Sequence, residues 1–414
     1  MHARFRSRLV AVSALALALG ALCAGAPGQA QACGGMIFSG HTERNGGMNS
    51  QELFLSMGPD ATTLVVSAGF IDVEGDKAFL LPLRAVPDEV RDGNQALFIA
   101  LETGTVPLVT IREPAEPERG CSFGAKSGGD NGEFGGNADV EVLDRGSTAT
   151  YDYVVVGGDT GTALVDWLGD NGFAAPADYA AALDGYANDG WYFLAAKLTD
   201  MAPAGQLAPL ELRFPASPGS ATTIPFALAG YSLTPEASLD LTLYVASVDA
   251  AVLPQNQAVA TIDADALEAI DEETSNYAAL FDELVGAEPT WVVEYSNGQW
   301  TGTFQYWVDG EFEYGINVDA IDQAGAAWLD DFSQRLGYQE ARLTRLRTRQ
   351  GAADLVDLQL GPGQAMEVYR GFTVIWDPDG DAGGCRTADP VGGAALLGLG
   401  LLGLFGLRRR AARR

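Results

Sequence analysis

Short apolar runs broken by Gly, Pro, Asn and Asp dominate residues 34–158, and they carry little helical period. Glu52-Leu53-Phe54-Leu55, Thr62-Thr63-Leu64-Val65-Val66 and Ala78-Phe79-Leu80-Leu81-Pro82-Leu83 read as strands, the last stopped by proline. Segments 97–101, 108–111, 140–143 and 149–156 extend the series, and the Gly/Asn/Asp-rich stretch 121–139 reads as a loop. The period changes at Leu164, Trp167 and Leu168, whose i, i+3, i+4 spacing predicts a helix over 160–168 stopped by Asn171-Gly172. Pro176 opens a second helix with Tyr179, Leu183 and Tyr186 along one face. Strand character returns at 191–195, 207–214, 224–228 and 241–245.

The second half has a different texture. Asp265 and Glu268 have the spacing of a capping pair, which predicts an acidic helix running towards Leu284. Residues 291–314 are the densest aromatic stretch; Asn297-Gly298 and Asp309-Gly310 within it predict a β-meander. A helix over 318–336 precedes the chain's one basic cluster, Arg342, Arg345, Arg347 and Arg349, and strands at 367–369 and 372–376 close the pattern. The fold class expected is α+β, predominantly antiparallel sheet with several packed helices. About 350 residues exceed the usual single core, so two subdomains are expected, 33–255 and 256–376, joined within 250–262.

The ends change the picture. Arg4, Arg6 and Arg8 precede an Ala/Leu-rich run, and Ala30-Gln31-Ala32 before Cys33 is a small-x-small cleavage site, so 1–32 reads as a secretory signal peptide. A lipoprotein signal would want Leu three places upstream of the cysteine, and neither Cys23 nor Cys33 has it. The acidic linker 377–384 ends at Gly384 and leads to a segment 385–414 made of Cys385, an apolar run over 391–407 and Arg408-Arg409-Arg410. The chain has 25 basic and 55 acidic residues; removing 1–32 and 385–414 leaves 16 and 54, a net charge of −38. Such a surface repels nucleic acid and anionic lipid. Export makes a Cys33–Cys121 disulfide the default, closing a loop of about 90 residues that stabilises by on the order of 4–5 kcal/mol.

The order of local signatures resembles domain-of-unknown-function family 2330, an uncharacterised family of exported bacterial proteins. The residues that carry it are Cys33-Gly34-Gly35, Gln51-Glu52-Leu53-Phe54, Phe79-Leu80-Leu81-Pro82-Leu83, Leu164-Val165-Asp166-Trp167-Leu168, Gly190-Trp191-Tyr192-Phe193-Leu194 and Arg342-Leu343-Thr344-Arg345-Leu346-Arg347. The resemblance brings no known activity. The tail resembles a myxosortase-type (MYXO-CTERM) sorting signal, which implies processing near Cys385, a sorting protease and membrane lipid as partners there, and display at the cell surface or outer membrane. The competing expectation is a retained membrane helix. The 17 residues 391–407 span about 25 Å as a helix against a hydrocarbon core of about 30 Å, and six of them are glycine.

Candidate chemistry is sparse. His41 is the one histidine left after 1–32, so a histidine-rich zinc site cannot be built, and any serine triad would have to use it. Glu294 and Glu311 flank the aromatic stretch as the acids of a sugar cleft would. Asp377, Asp379 and Asp381 alternate like the start of a calcium loop, but Ala382 and Ala388 stand where the loop needs glycine and glutamate. Asp130, Asn131, Glu133 and Asp139 are a second calcium candidate. The arginine cluster suits either internal pairing with carboxylates or an anionic ligand. No cofactor is expected, calcium aside. The reading is a surface-anchored, exported envelope protein with a structural or binding role; the alternatives are a glycan-directed hydrolase using paired carboxylates and a calcium-dependent adhesion module.

Overall fold

The computed structural model describes residues 35–38, 48–58, 60–70, 77–112, 140–173, 175, 178–199, 205–216, 222–248, 250–306 and 321–376. Two large sheets dominate. The first has the order β1 (Gly35–Phe38), β4 (Lys77–Leu83), β9 (Tyr192–Leu198), β8 (Tyr151–Gly158), β7 (Val140–Ser147). The second has nine strands: β15 (Ala258–Ala260), β16 (Thr290–Trp300), β17 (Ala341–Gly351), β13 (Ser238–Ser247), β2 (Met48–Met57), β3 (Ala61–Phe70), β11 (Leu210–Pro215) and β5 (Glu89–Asp92), with β10 (Gly205–Gln206) beside β3. Two small sheets complete it: β12 (Thr222–Ile224), β18 (Leu358–Pro362), β14 (Val252–Pro254), and the parallel pair β6 (Leu108–Arg112) and β19 (Gly371–Ile375). Most pairs are antiparallel, so the α+β class holds; β13–β2 and β15–β16 are parallel.

The continuous apolar runs are explained by burial on both faces of each sheet. Along β2 and β3, Leu53, Leu55, Leu64 and Val66 point into a central core, while Phe54 and Val65 point to a second one. Along β4 and β8, Phe79, Leu81 and Val155 enter that same central core, while Leu80, Val154 and Val156 face a third. The large sheets therefore pack face to face, and each carries helices on its outer face.

On the five-stranded sheet sit α2 (Gly161–Asp170) and α3 (Tyr179–Asn188), which bury Leu164, Trp167, Leu168, Tyr179, Leu183 and Tyr186. Thr160 caps α2 by accepting from Ala163 N at 3.2 Å. On the nine-stranded sheet sit α1 (Ala96–Thr105) and α5 (Gln323–Leu336), around Leu97, Phe98, Leu101, Leu329 and Phe332. Asp322 caps α5 by accepting from Gly325 N at 2.7 Å, and Gly337 ends it in the left-handed region at φ 67°. Residues 277–287 form α4 (Tyr277–Ala287), packed on β16 and β17.

Three expectations change. Residues 97–101 are helical in α1, because an apolar run buried on nearly all sides has no period to distinguish it from a strand. Asn297-Gly298 makes no hairpin: β16 continues through it to Trp300 with one extra residue against β17, a bulge. The helix expected from Asp265 is a single 3-10 turn, Ala264–Ala266, capped by Asp263; the α-helix begins at Tyr277. The nine-stranded sheet draws strands from both sides of residues 250–262: β13 pairs with β2 on one side and β17 on the other. Of the helices expected at 176 and 318, the described parts begin at Tyr179 and Gln323.

Candidate functional site

The arginine cluster lies on β17, where Arg345, Arg347 and Arg349 alternate onto one face and Arg342 falls on the other. Opposite them, β16 carries a bulge between Val293 and Tyr295: both Glu294 and Tyr295 stand against Arg345, so Glu294 is the extra residue. That irregularity aims Glu294 at Arg345, whose Nε donates to Glu294 Oε2 at 2.8 Å with both side chains buried. Tyr277 O–H from α4 donates to Glu294 Oε1 at 2.9 Å.

The charges then continue in alternation. Arg347 lies 3.8 Å from Glu294 Oε1 and 3.5 Å from Asp240 Oδ1. Arg349 meets Asp240 at 3.2 Å and Asp282 at 2.8 Å. Phe281 of α4 lies beneath this row, its ring 4.3 Å from the Arg347 guanidinium carbon. Arg342, on the opposite face, pairs with Glu367 at 2.6 Å and donates to Ser296 and Met366 O. The cluster is thus closed by this chain's own carboxylates. Pairing raises the Arg345 and Arg349 pKa values against the desolvation that opposes it, and burial beside Glu294 pushes the Tyr277 phenol up. Glu294, half of the sequence's carboxylate pair, is occupied by structure and closed to solvent; its partner Glu311 lies outside the described residues.

An open cavity of about 440 Å³ lies beyond the nine-stranded sheet. Thr103 brings the end of α1, Asp330 and Ser333 one face of α5, Phe304 and Tyr306 the segment after β16, and Arg370 the turn before β19. Its walls are set by local structure. Gly302, at φ 76°, turns the chain after β16, and Trp300 Nε1 donates to Thr303 O at 2.8 Å. Phe304 then packs edge-on to Phe54 and Trp300, with ring centroids 6.2 Å and 5.5 Å away. Tyr306 O–H donates to Asp330 Oδ1 at 3.3 Å. Arg370 Nη1 donates to Thr103 O, a carbonyl in the last turn of α1, where a cation also suits the helix dipole.

Arg370 differs from Arg335 and from the arginines of β17. Against the burial that opposes it, carboxylates hold Arg335 and Arg349 above the ordinary arginine pKa, whereas burial lowers that of Arg370, and among the described residues no carboxylate pairs with it. The sequence flagged the aromatic stretch that contains Phe304 and Tyr306; it gave no sign of Arg370, Asp330 or Thr103, which converge only through the packing of α1 on α5.

The other sequence candidates lie outside the described residues: Ala32, Cys33, His41, Cys121, the acids Asp130, Glu133 and Asp139, Asp377, Asp379, Asp381, Gly384 and Cys385. Among the described residues there is no cluster of three metal-ligating side chains, and no helix long and apolar enough to cross a membrane.

The profile of a family described as an uncharacterized protein conserved in bacteria (DUF2330) matches residues 27–336. No curated protein matches the sequence. Two solved structures are similar at low level: baculovirus P35 at 11% identity, covering 77% of this chain and 97% of that chain with a TM-score of 0.28, and the caspase-8/P35 complex at 9% identity, covering 76% and 96% with a TM-score of 0.31. Scores that low support no argument about fold or activity.

Proposed function

The chain belongs to the bacterial family DUF2330, and we propose that this member is an exported protein, held at the cell surface near Cys385, that binds a small molecule without transforming it. The observation that carries the binding role is the cavity at Arg370: its volume of about 440 Å³ falls within the range of small-molecule sites, and its aromatic wall is fixed by packing before any ligand arrives. Hydrolysis by paired carboxylates needs two acids about 5–9.5 Å apart across the scissile bond. Among the described residues Asp330 is the one carboxylate lining this cavity, and Glu294 is consumed by Arg345 and Tyr277. Both facts favour binding over hydrolysis.

Surface display is expected from the signal peptide over 1–32 and the sorting-like segment 385–414. Labelling of intact cells with a membrane-impermeant amine reagent tests it at Lys77, Lys126 and Lys197. Modification of the whole-cell population is the expected result; protection until lysis would place the protein inside. A glycan-hydrolysis screen on the same material should give no turnover, and turnover that is lost in Asp330→Asn would reverse the reading.

A further inference from the structure

We propose that the cavity between α1, α5 and Arg370 recognises a zwitterion, a free amino acid or short peptide, with its carboxylate on Arg370 and its ammonium on Asp330. This rests on the binding role argued above and names the ligand class.

The guanidinium of Arg370 has five N–H donors in a planar fork, and the structure uses one of its nitrogens, on Thr103 O. The remaining edge matches a carboxylate in two parallel hydrogen bonds, a geometry lysine cannot offer. Asp330 lines the same cavity from α5 and keeps acceptor sites beyond the 3.3 Å bond from Tyr306. Arg370 and Asp330 are not paired with each other, although pairing is how the β17 arginines are neutralised. Two opposite, separate charges on one cavity are complementary to a molecule that carries both.

Charge also decides against a simple anion. Residues 33–384 carry a net charge of −38, so a dicarboxylate or phosphate would approach against the field of the whole protein. A zwitterion has no net charge to repel, and its two ends meet local charges at short range, where they are least screened. Phe304 and Tyr306 offer apolar area to a side chain, and the Ser333 hydroxyl, three residues from Asp330 on the same helix face, supplies further polar contact.

Isothermal titration of the full-length chain with the twenty free amino acids, L-alanyl-L-phenylalanine and maltotriose tests this. A zwitterion should bind, and N-acetylating it or amidating its carboxyl should each weaken binding at least tenfold. In Asp330→Asn the N-acetyl penalty should vanish while the amide penalty stays; in Arg370→Gln the reverse should hold, with Arg370→Lys, which keeps a donor for Thr103 O, as the variant for a protein that folds poorly without that cap. These comparisons are made within each variant, so a general loss of stability cannot imitate them. Equal affinity for the blocked and free ligands would overturn the proposal, as would absence of zwitterion binding at millimolar concentration. Binding of maltotriose alone would overturn it while leaving the binding role intact; glycan hydrolysis would overturn both.

Discussion

Replacing Glu294 with leucine keeps the approximate volume of the side chain but leaves Arg345 as an unpaired charge beneath the helices. The pair is closed to water, with Arg345 and Glu294 side chains 6% and 1% exposed and 2.8 Å between Nε and Oε2. Charge centres about 4 Å apart at an effective dielectric of about 20 attract by about 4 kcal/mol, and breaking a buried pair from one side costs about 3–5 kcal/mol. The outer links of the same row contribute little: Arg347–Asp240 is 30% and 39% exposed, where a pair is worth about 0–1 kcal/mol. Glu294→Leu and Arg345→Met should therefore each destabilise by about 3–5 kcal/mol. The double variant should recover most of that loss, because a dry apolar contact replaces the pair, although Tyr277 O–H loses its acceptor at about 1 kcal/mol. Urea unfolding followed by the fluorescence of the fully buried Trp291 measures all four corners of the cycle. Two single losses of that size and a double loss of only about 1–2 kcal/mol imply a coupling energy of about 4–9 kcal/mol. Single losses below about 1 kcal/mol, or losses that simply add, would refute the view that the bulge exists to seat this pair.

Three further outcomes follow from local geometry. Burial raises the Asp357 pKa against the hydrogen bonds it accepts from Tyr186 O–H at 2.6 Å and Ala227 N at 3.1 Å and the nearby Arg84 charge. The folded state then holds the proton more tightly than the unfolded state, so this group's contribution is full at pH below the ordinary carboxylate value and is lost as pH rises through the raised one; stability relative to Asp357→Asn, measured by urea unfolding from about pH 3 to 7, should fall with rising pH, and a flat difference would contradict it. Asp322→Ala removes the acceptor for Gly325 N and should cost about 1 kcal/mol, with faster amide exchange confined to the first turn of α5. Gly161→Ala would drive a methyl into the Ala180 carbonyl oxygen and close to Asp184 N, where α2 and α3 touch; calorimetry should show a markedly lower melting temperature, and an unchanged one would contradict the close approach.

How much of this was legible in the sequence depends on what each residue had to report. The α2 helix was readable to within a few residues, because Leu164, Trp167 and Leu168 face one core while solvent takes the rest, and Thr160 and Gly172 mark its ends. The strands β3, β4 and β8 were readable as strands, but not the order in which they pair, since runs buried on both faces carry no marker of their neighbours. The α1 helix was misread for the same reason: Leu97, Phe98, Ala100 and Leu101 are all buried, so its period is hidden. Asn297-Gly298 carries a strong hairpin signal locally; the pairing of β16 with β17 over its whole length absorbs it as a bulge. Internal pairing was one of two roles open to the arginine cluster, and the structure supplies Glu294, Asp240, Asp282 and Glu367 as the partners. Arg370 could not be found that way, because its place on the cavity wall beside Thr103 O arises only in three dimensions, and no run of letters records that.

Export and surface retention are most directly tested by the intact mass of the protein recovered from its native envelope, before and after reduction. The expected species begins at Cys33, ends at or near Cys385 with the added mass of a lipid, and gains two hydrogens on reduction as the Cys33–Cys121 bridge opens. A species that keeps both Met1 and Arg414 would contradict the assignment of this chain to the cell surface.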